Sequence, residues 1–550
     1  MIALLSCALA TSGFDPATPD AVFTGAEVMS HDGQRQLWSR IDRYDDPDRT
    51  LFQQEDYSEL FRWKDTEFTP HMLTLFDDAE PSSSTFLLHY GVNEATASGT
   101  PVLFVHGAGD NASRSTFQLR LEFEAAGRPF YAITFPHAHG DVFRQAEAVA
   151  NAIAVIRERT GAPQVDLIAH SKGGPAIATY ASNTPDADWN NAAYEAVGTN
   201  YRGDVRKMLF VASPLDGIDT AFRWPASNYL GFMPEFAAAP VSWKYHYPMG
   251  SVNWWVSNDL TYQDFMPGGG DPFPGQRQLL KRQDHPLPGT MPWLGGYSLQ
   301  QDWYTTYEGG FGLTSYSDGI DDAIEAGGSF IDTLAAQGVD PNVQIYVLAG
   351  NNPMMPSGDP AFEDIWDGLA SPSMWQLLMD SIDTWVTEMD ATPAEVEGLS
   401  NGKLILGEVS GASDGLLFVD SALAVQNLTA RGATVVQTRV AALSHTELMI
   451  ASDTMGAIMH SLGDADPEEG AWMHARADRY IAEDTTAWML EMLADPPPDD
   501  SNPNARGGVG GVGPASVDGG WSAMGCSTTG NPVGAFGLLP LLALAIRRRS

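Results

Sequence analysis

The chain has 550 residues, 43% hydrophobic and 10% aromatic, a composition that builds a folded globular body and excludes a disordered one. Its 70 acidic against 30 basic residues leave a formal net charge of -40, and a surface of that sign repels phosphate backbones, so nucleic acid is excluded as a partner. The two cysteines, Cys7 and Cys526, stand near opposite ends and supply neither a disulfide framework nor a cysteine-based zinc site in the body.

In chain order, MIALLSCALATSG comes first: a short apolar core and an Ala-Leu-Ala ending at Ala10, without a basic n-region. Residues 1–20 are therefore expected to be signal-like. Leu4 to Cys7 also fits a bacterial lipoprotein cleavage box, and cleavage at Cys7 or after Ala10 both stay open. From residue 21 to residue 495 strands and helices alternate. FLLHYGV (Phe86 to Val92), PVLFVHG (Pro101 to Gly107), PFYAITF (Pro129 to Phe135), VDLIAH (Val165 to His170), VRKMLFVAS (Val205 to Ser213) and VQIYVLAG (Val343 to Gly350) read as strands. Ser113 to Gly127 and Asp141 to Thr160 are amphipathic at helical spacing. This alternation predicts the α/β class, a mostly parallel sheet flanked by helices.

An excursion from about residue 218 to 342 interrupts the order and is dense in aromatic residues, with Phe222, Trp224, Phe232, Phe236, Trp243, Trp254 and Trp255 close together. It reads either as a small satellite core or as a lid or cap over an apolar pocket. Residues 496–525 are rich in Pro and Gly and read as a flexible linker. Residues 526–550 follow Cys526 with an apolar run broken by Pro540 and end in Arg547, Arg548 and Arg549. The run falls short of the roughly 20 residues of a spanning helix. This ending resembles the C-terminal sorting tails of myxobacterial surface proteins, which implies an exported, surface-held or outer-membrane-associated body, or a secreted one.

The chemistry concentrates at a few turns. In VDLIAHSKGG a buried strand breaks into glycines at Ser171, and A-H-S-K-G is a near match to the G-x-S-x-G nucleophile elbow, with Ala169 in place of the first glycine. A helix N-cap would explain a serine there equally well if it stood alone. Serine needs a base, an orienting acid and oxyanion donors. His106-Gly107-Ala108-Gly109, after the strand VLFV, can offer the N–H of Ala108, and Lys172, directly after the serine, offers the second. The same stretch satisfies G-x-G-x-x-A from Gly107 to Ala112, but the next strand ends Phe135-Pro136-His137 without the carboxylate a dinucleotide site requires. The acid is assigned to Asp414, in Ser413-Asp414-Gly415 after the strand-like KLILGEV, with Asp420 as its rival. The base is assigned to His445, between a strand-like and a helical run; His460 and His474 lie in helical patterns, and His137 and His139 precede the acid. Ser171, Asp414, His445 is the chain order of an α/β-hydrolase triad.

Through AHSKGG, HGAG, SDGLLFVDSAL and LSHTEL the chain resembles bacterial lipases and esterases of the α/β-hydrolase family, over roughly Phe86 to Leu493. The resemblance implies carboxylic ester hydrolysis of an ester or lipid substrate, with Ser171 as nucleophile, His445 as base and then acid, and Asp414 orienting the imidazole. A thioesterase or acyltransferase would use the same triad, and a catalytically silent binding protein would keep the same fold. No cofactor is implied. H-T-E at His445 is not H-E-x-x-H, and Pro467 breaks the acidic run Asp464 to Gly470 as a calcium loop, so no metal site is assigned; a structural calcium, which some lipases carry, stays open.

Overall fold

The computed structural model of the chain describes residues 14–30, 32–46, 55–57, 62–66, 69–182, 199–219, 274–283, 310–311, 316–317, 320–351, 414, 416–465 and 470–495. Its strands are β1 (Ala21–Phe23), β2 (Arg40–Asp45), β3 (Thr85–Tyr90), β4 (Val102–Val105), β5 (Phe130–Thr134), β6 (Val165–His170), β7 (Val205–Val211), the short pair β8 (Gly310–Phe311) and β9 (Tyr316–Ser317), β10 (Gln344–Gly350) and β11 (Thr434–Ala441). Nine of them form one sheet in the order β1-β2-β3-β5-β4-β6-β7-β10-β11. The pairs from β1 to β5 are antiparallel, and every pair from β5 through β4, β6, β7 and β10 to β11 is parallel. Mostly parallel and covered by helices, this is the α/β-hydrolase sheet that the sequence predicts.

The central strands read as unbroken apolar runs because both faces are covered, and side chains alternate between two cores. Leu103 and Val105 of β4, Tyr131 and Ile133 of β5 and Leu167 and Ala169 of β6 enter one core, with Val149 and Ile153 of α4 (Val142–Thr160) and Ile177 of α5 (Gly173–Ser182). Val102, Phe104, Phe130, Ala132 and Ile168 enter the other, with Met72 of α1 (Met72–Phe76), Leu119 and Phe123 of α3 (Phe117–Ala125), and Met489 of the last helix (Thr485–Met492).

Helix α4 begins where Asp141 accepts the Phe143 and Arg144 N–H groups at 2.8 and 3.2 Å. It ends at Gly161, left-handed at φ 69°. The helix expected from Ser113 to Gly127 is divided instead. The Thr116 hydroxyl donates to the Ala112 carbonyl at 2.7 Å, closing α2 (Ala112–Ser115) before α3 starts. The sheet also begins earlier than the lipase-like segments: β1 and β2 extend it ahead of β3. In β2 the buried Asp42 pairs with Arg40 and accepts the Tyr90 hydroxyl at 2.7 Å.

At the N-terminal ends of the parallel strands, basic side chains clamp the end of the last helix. Arg128 donates to the Leu493 carbonyl at 2.7 Å, Lys207 to those of Met492 and Ala494 at 2.8 and 2.9 Å, and Arg206 bonds Asp495 at 2.6 Å. The Thr100 N–H, just before β4, reaches Asp495 at 3.0 Å.

Of the insertion expected over 218–342, the described piece 274–283 packs back on the loops beside the sheet: Leu280 bridges Ile218, and Gln278 accepts the Val142 N–H at 2.8 Å. The aromatic run from Phe222 to Trp255, the strand-like KLILGEV, the signal-like residues 1–13 with Cys7, and everything after Asp495, including the linker and Cys526, lie outside the described residues. Among the described residues no helix is long and apolar enough to cross a membrane.

Several histidines are buried and held neutral. Burial drives His89 and His137 down to about 3 and His106 to about 4. Between roughly pH 4 and the ordinary histidine value near 6.5, the unfolded chain binds protons that the folded chain does not, so stability rises with pH across that window and is lost on acidification. Glu55, pushed upward by burial, opposes this, as do Asp166, Glu124 and Asp484, which burial also raises. The urea midpoint is expected to fall from pH 7 to pH 4.5, each of the three histidines contributing about 1.4 kcal/mol per pH unit inside the window; a midpoint that holds or rises on acidification contradicts this.

Candidate active site

Strand β6 lies in the middle of the sheet with all six residues buried, and it ends at Ser171. Ser171 has φ 52°, in the left-handed region that costs a non-glycine residue energy and persists only where neighbours enforce it. Here they do. The Ser171 N–H donates to the Val211 carbonyl at the end of β7, and the Ser171 carbonyl accepts the Gly174 N–H, both at 2.9 Å. The two glycines that follow are required by close approach: a Cβ on Gly173 would stand 2.6 Å from the Val105 carbonyl oxygen and 2.8 Å from that of His106, and one on Gly174 would collide with Ser213. The sharp turn thus rests on the small residues that the elbow pattern identifies.

The loop after β4 lies against this turn. A Cβ on Gly107 would be 2.8 Å from Ser171 Cβ and 3.4 Å from its Oγ, so the His106–Gly109 backbone runs directly beside the serine. His106 fixes that loop from within: its Nδ1 donates to the Gly107 carbonyl at 2.7 Å, and its Nε2 accepts the Phe135 N–H at 3.2 Å. Ala108, half-buried, follows at the loop tip.

Lys172 is buried, and its side chain is enclosed among polar groups. Its Nζ donates to Gln145, and Gly275 of the described insertion piece is seated so closely that a Cβ there would overlap the lysine side chain. Burial lowers the Lys172 ammonium, while Glu55 and Asp141 act to raise it; burial raises Glu55, against the pull of Arg144 and Lys172. Glu55 also accepts the Asp141 N–H at 2.6 Å, so an N-terminal segment, the start of α4 and the residue after Ser171 share one buried network.

Asp414 and His445 meet beside the ends of the next strands, β10 and β11. Asp414 lies against Gly350, the last residue of β10, where an added Cβ would come within 2.9 Å of Asp414 Cβ. One carboxylate oxygen, Oδ1, accepts the N–H groups of Leu416 and Leu417 at 3.0 and 2.8 Å; the other, Oδ2, accepts the proton of His445 Nδ1 at 2.7 Å. The His445 N–H donates to the Asp414 carbonyl at 2.9 Å. With Nδ1 carrying the proton, Nε2 presents a lone pair. Asp420, the rival acid, is exposed on the short helix Val419–Ala422.

Two side chains adjoining these groups carried no assignment from the sequence. His170, directly before Ser171, is buried against the His445 ring with centroids 4.8 Å apart. Glu447, fully buried, accepts the Ser444 N–H at 3.0 Å and also Arg479, Tyr480 and Arg476 at 3.0 to 3.2 Å. The S-x-x-E spacing of Ser444 and Glu447 in LSHTEL is the signature that would have pointed to it. His460 and His474 pair with Asp478 and Asp464 on the helices Asp453–Ala465 and Gly470–Glu483, on side chains partly open to solvent. Among the described residues no group of three or more His, Cys, Asp or Glu could hold a metal ion.

Residues 99–221, which contain the His106–Gly109 loop and the Ser171 turn, match the model of the family Lipase (class 2). No curated protein matches the chain. Among solved structures, the Staphylococcus hyicus lipase is similar at 14% identity, covering 72% of this chain and 95% of that one, with a TM-score of 0.33. The mature Bacillus licheniformis lipase BlEst2 is similar at 12% identity, covering 68% of this chain and 97% of that one, with a TM-score of 0.30.

Because Gly173 meets backbone carbonyls of β4 and its loop, Gly173→Ala is expected to destabilise the protein by about 1–3 kcal/mol, the cost of overpacking a site that cannot yield. The readout is a lowered urea midpoint at unchanged slope. An unchanged midpoint would mean that the loop after β4 moves aside freely.

Proposed function

We propose that this protein is a serine hydrolase that cleaves carboxylic esters, lipid esters foremost, through an acyl-enzyme on Ser171. The observation that carries the reading is the buried 2.7 Å bond from His445 Nδ1 to Asp414, formed where His170, the residue before Ser171, packs against the same imidazole. The Lipase (class 2) match over residues 99–221 supports the ester-cleaving class.

In this mechanism Ser171 Oγ attacks the ester carbonyl carbon while His445 Nε2 takes the hydroxyl proton. Asp414 holds the Nδ1–H tautomer and stabilises the imidazolium without becoming protonated. The tetrahedral oxyanion is received by the N–H groups of Ala108 and Lys172. Collapse breaks the C–O bond, and the departing alkoxide takes the proton back from His445. Water, deprotonated by the same nitrogen, then attacks the acyl-enzyme and regenerates the Ser171 hydroxyl. The sequence of steps uses only groups of this chain, the ester and water. Burial of Asp414 and His445 strengthens the charge interaction between them.

The reading extends to location. An exported enzyme held at the cell surface is supported by the signal-like residues 1–20 and by the cysteine, apolar run and arginines of residues 526–550.

Ser171→Ala is expected to abolish hydrolysis of nitrophenyl esters from acetate to palmitate by on the order of 10³-fold or more, and to abolish labelling by a fluorophosphonate, while the protein stays folded. Labelling that persists would assign the nucleophile elsewhere. Asp414→Asn should lower kcat by on the order of 10²- to 10⁴-fold, whereas Asp420→Asn, at an exposed position, should leave it near the parent rate; the reverse ranking would move the acid to Asp420.

A further inference from the structure

The imidazole of a general base has to be aimed as well as supplied with a carboxylate, and in this structure the backbone of His445 is tied on both sides. Its N–H donates to the Asp414 carbonyl at 2.9 Å. Its own carbonyl lies 3.0 Å from Nε2 of His170. A carbonyl only accepts, so His170 Nε2 carries the proton and donates it. The two rings are tilted by 47° with centroids 4.8 Å apart, and both side chains are buried.

His170 is also the last residue of β6, one peptide bond from Ser171. We infer that His170 is a positioning residue for the general base: by holding the His445 carbonyl, it registers base and nucleophile to the same strand end. The inference rests on the hydrolase reading above. Without this bond, the position of His445 relative to Ser171 would be set through Asp414 and Glu447 and through β10, β11 and the loop after β11. The edge strand β11 is largely exposed, with Val436 half open to solvent, so that longer path is the softer one. With the bond, one contact spans the site directly.

The charge state suits the task. Burial holds His170 below the ordinary histidine range and His445 pushes it the same way, while the bond to the His445 carbonyl, then Asp110 and Asp414, oppose less strongly. A neutral His170 keeps its Nε2–H donor and places no second cation beside the imidazolium that His445 becomes during acylation.

The test uses the full chain and nitrophenyl butyrate. His170→Phe retains a ring and loses the donor; it should lower kcat by about 10- to 100-fold, the cost of a misplaced reacting group, with KM changed far less. His170→Gln, whose side-chain N–H can reach the same carbonyl, should recover most of that loss. The fluorophosphonate labelling rate of Ser171 should follow kcat in both variants. In an Asp414→Asn background, where the imidazole is already misoriented, His170→Phe should cost several-fold less than in the parent. Equal losses in the Phe and Gln variants, or an undiminished cost in the Asp414→Asn background, would overturn the positioning role.

A measurement on the unaltered protein decides the matter even where His170→Phe fails to fold. Nitrogen-15 NMR of histidine-labelled protein at pH 7 should find His170 neutral and protonated on Nε2, and an unprotonated Nε2 would overturn the inference. If the parent hydrolyses no ester and Ser171 takes no fluorophosphonate, the serine-hydrolase reading falls and this role falls with it. If the parent is active and His170→Phe matches it, the positioning role alone falls.

Discussion

Everything at this site depends on how closely β4, β6 and β7 approach one another at their C-terminal ends. The glycines after Ser171 remove the side chains that would hold those strands and α5 apart, and the backbone of the serine is bent into a conformation it would not keep in isolation. Because the turn is bonded to the end of β7 and pressed by the loop after β4, the strain is carried by the sheet. A side chain at such a point has few ways to relax. The proposed reaction asks this of its attacking oxygen, since preorganisation removes the cost of finding the reactive geometry during each turnover.

Around the turn several buried polar groups are held by specific partners. Asp414 spends one oxygen on two backbone amides and the other on His445, so its orientation is determined twice over. Glu447 ties the strand-to-helix loop carrying His445 to Arg476, Arg479 and Tyr480 of a C-terminal helix, and Lys172 ties the residue after the serine to Gln145 and the network of Glu55. Removing one member of such a network leaves another buried without compensation, which costs more than the contact itself is worth. The elements far from the serine in sequence are thus coupled to it through a few desolvated hydrogen bonds.

These differences in reach explain what could be read from the sequence. The turn at Ser171 was legible because its requirements are local: an apolar run, then small residues. The sequence ranks Asp414 above Asp420 from its turn-prone neighbours and its place after a strand-like run, and in the structure Asp414 is enclosed and Asp420 open to solvent. The strand Arg40–Asp45 was not legible, since RIDRYD shows polar residues at core-facing positions; Asp42 is tolerated inside only because Arg40 and Tyr90 meet it. The break at Thr116 was hidden because a hydroxyl competing for a helix carbonyl leaves the amphipathic pattern intact. The network of Glu55 and Lys172 could not be seen either, because their pairing is a matter of three-dimensional proximity between segments that share no pattern.

The clamp on the final helix gives the molecule two poles. Arg128, Arg206 and Lys207 grip Met492 to Asp495 at the strand starts, whereas Ser171, Asp414 and His445 gather at the strand ends. The described body therefore hands on its chain at the pole opposite the turn at Ser171. Whatever is joined beyond Asp495, whether a native tether or an engineered immobilisation tag, pulls on the base of the sheet through those three cations. A body hung in this way turns the Ser171 end of its sheet away from the support, and load on the tether enters at the strand starts.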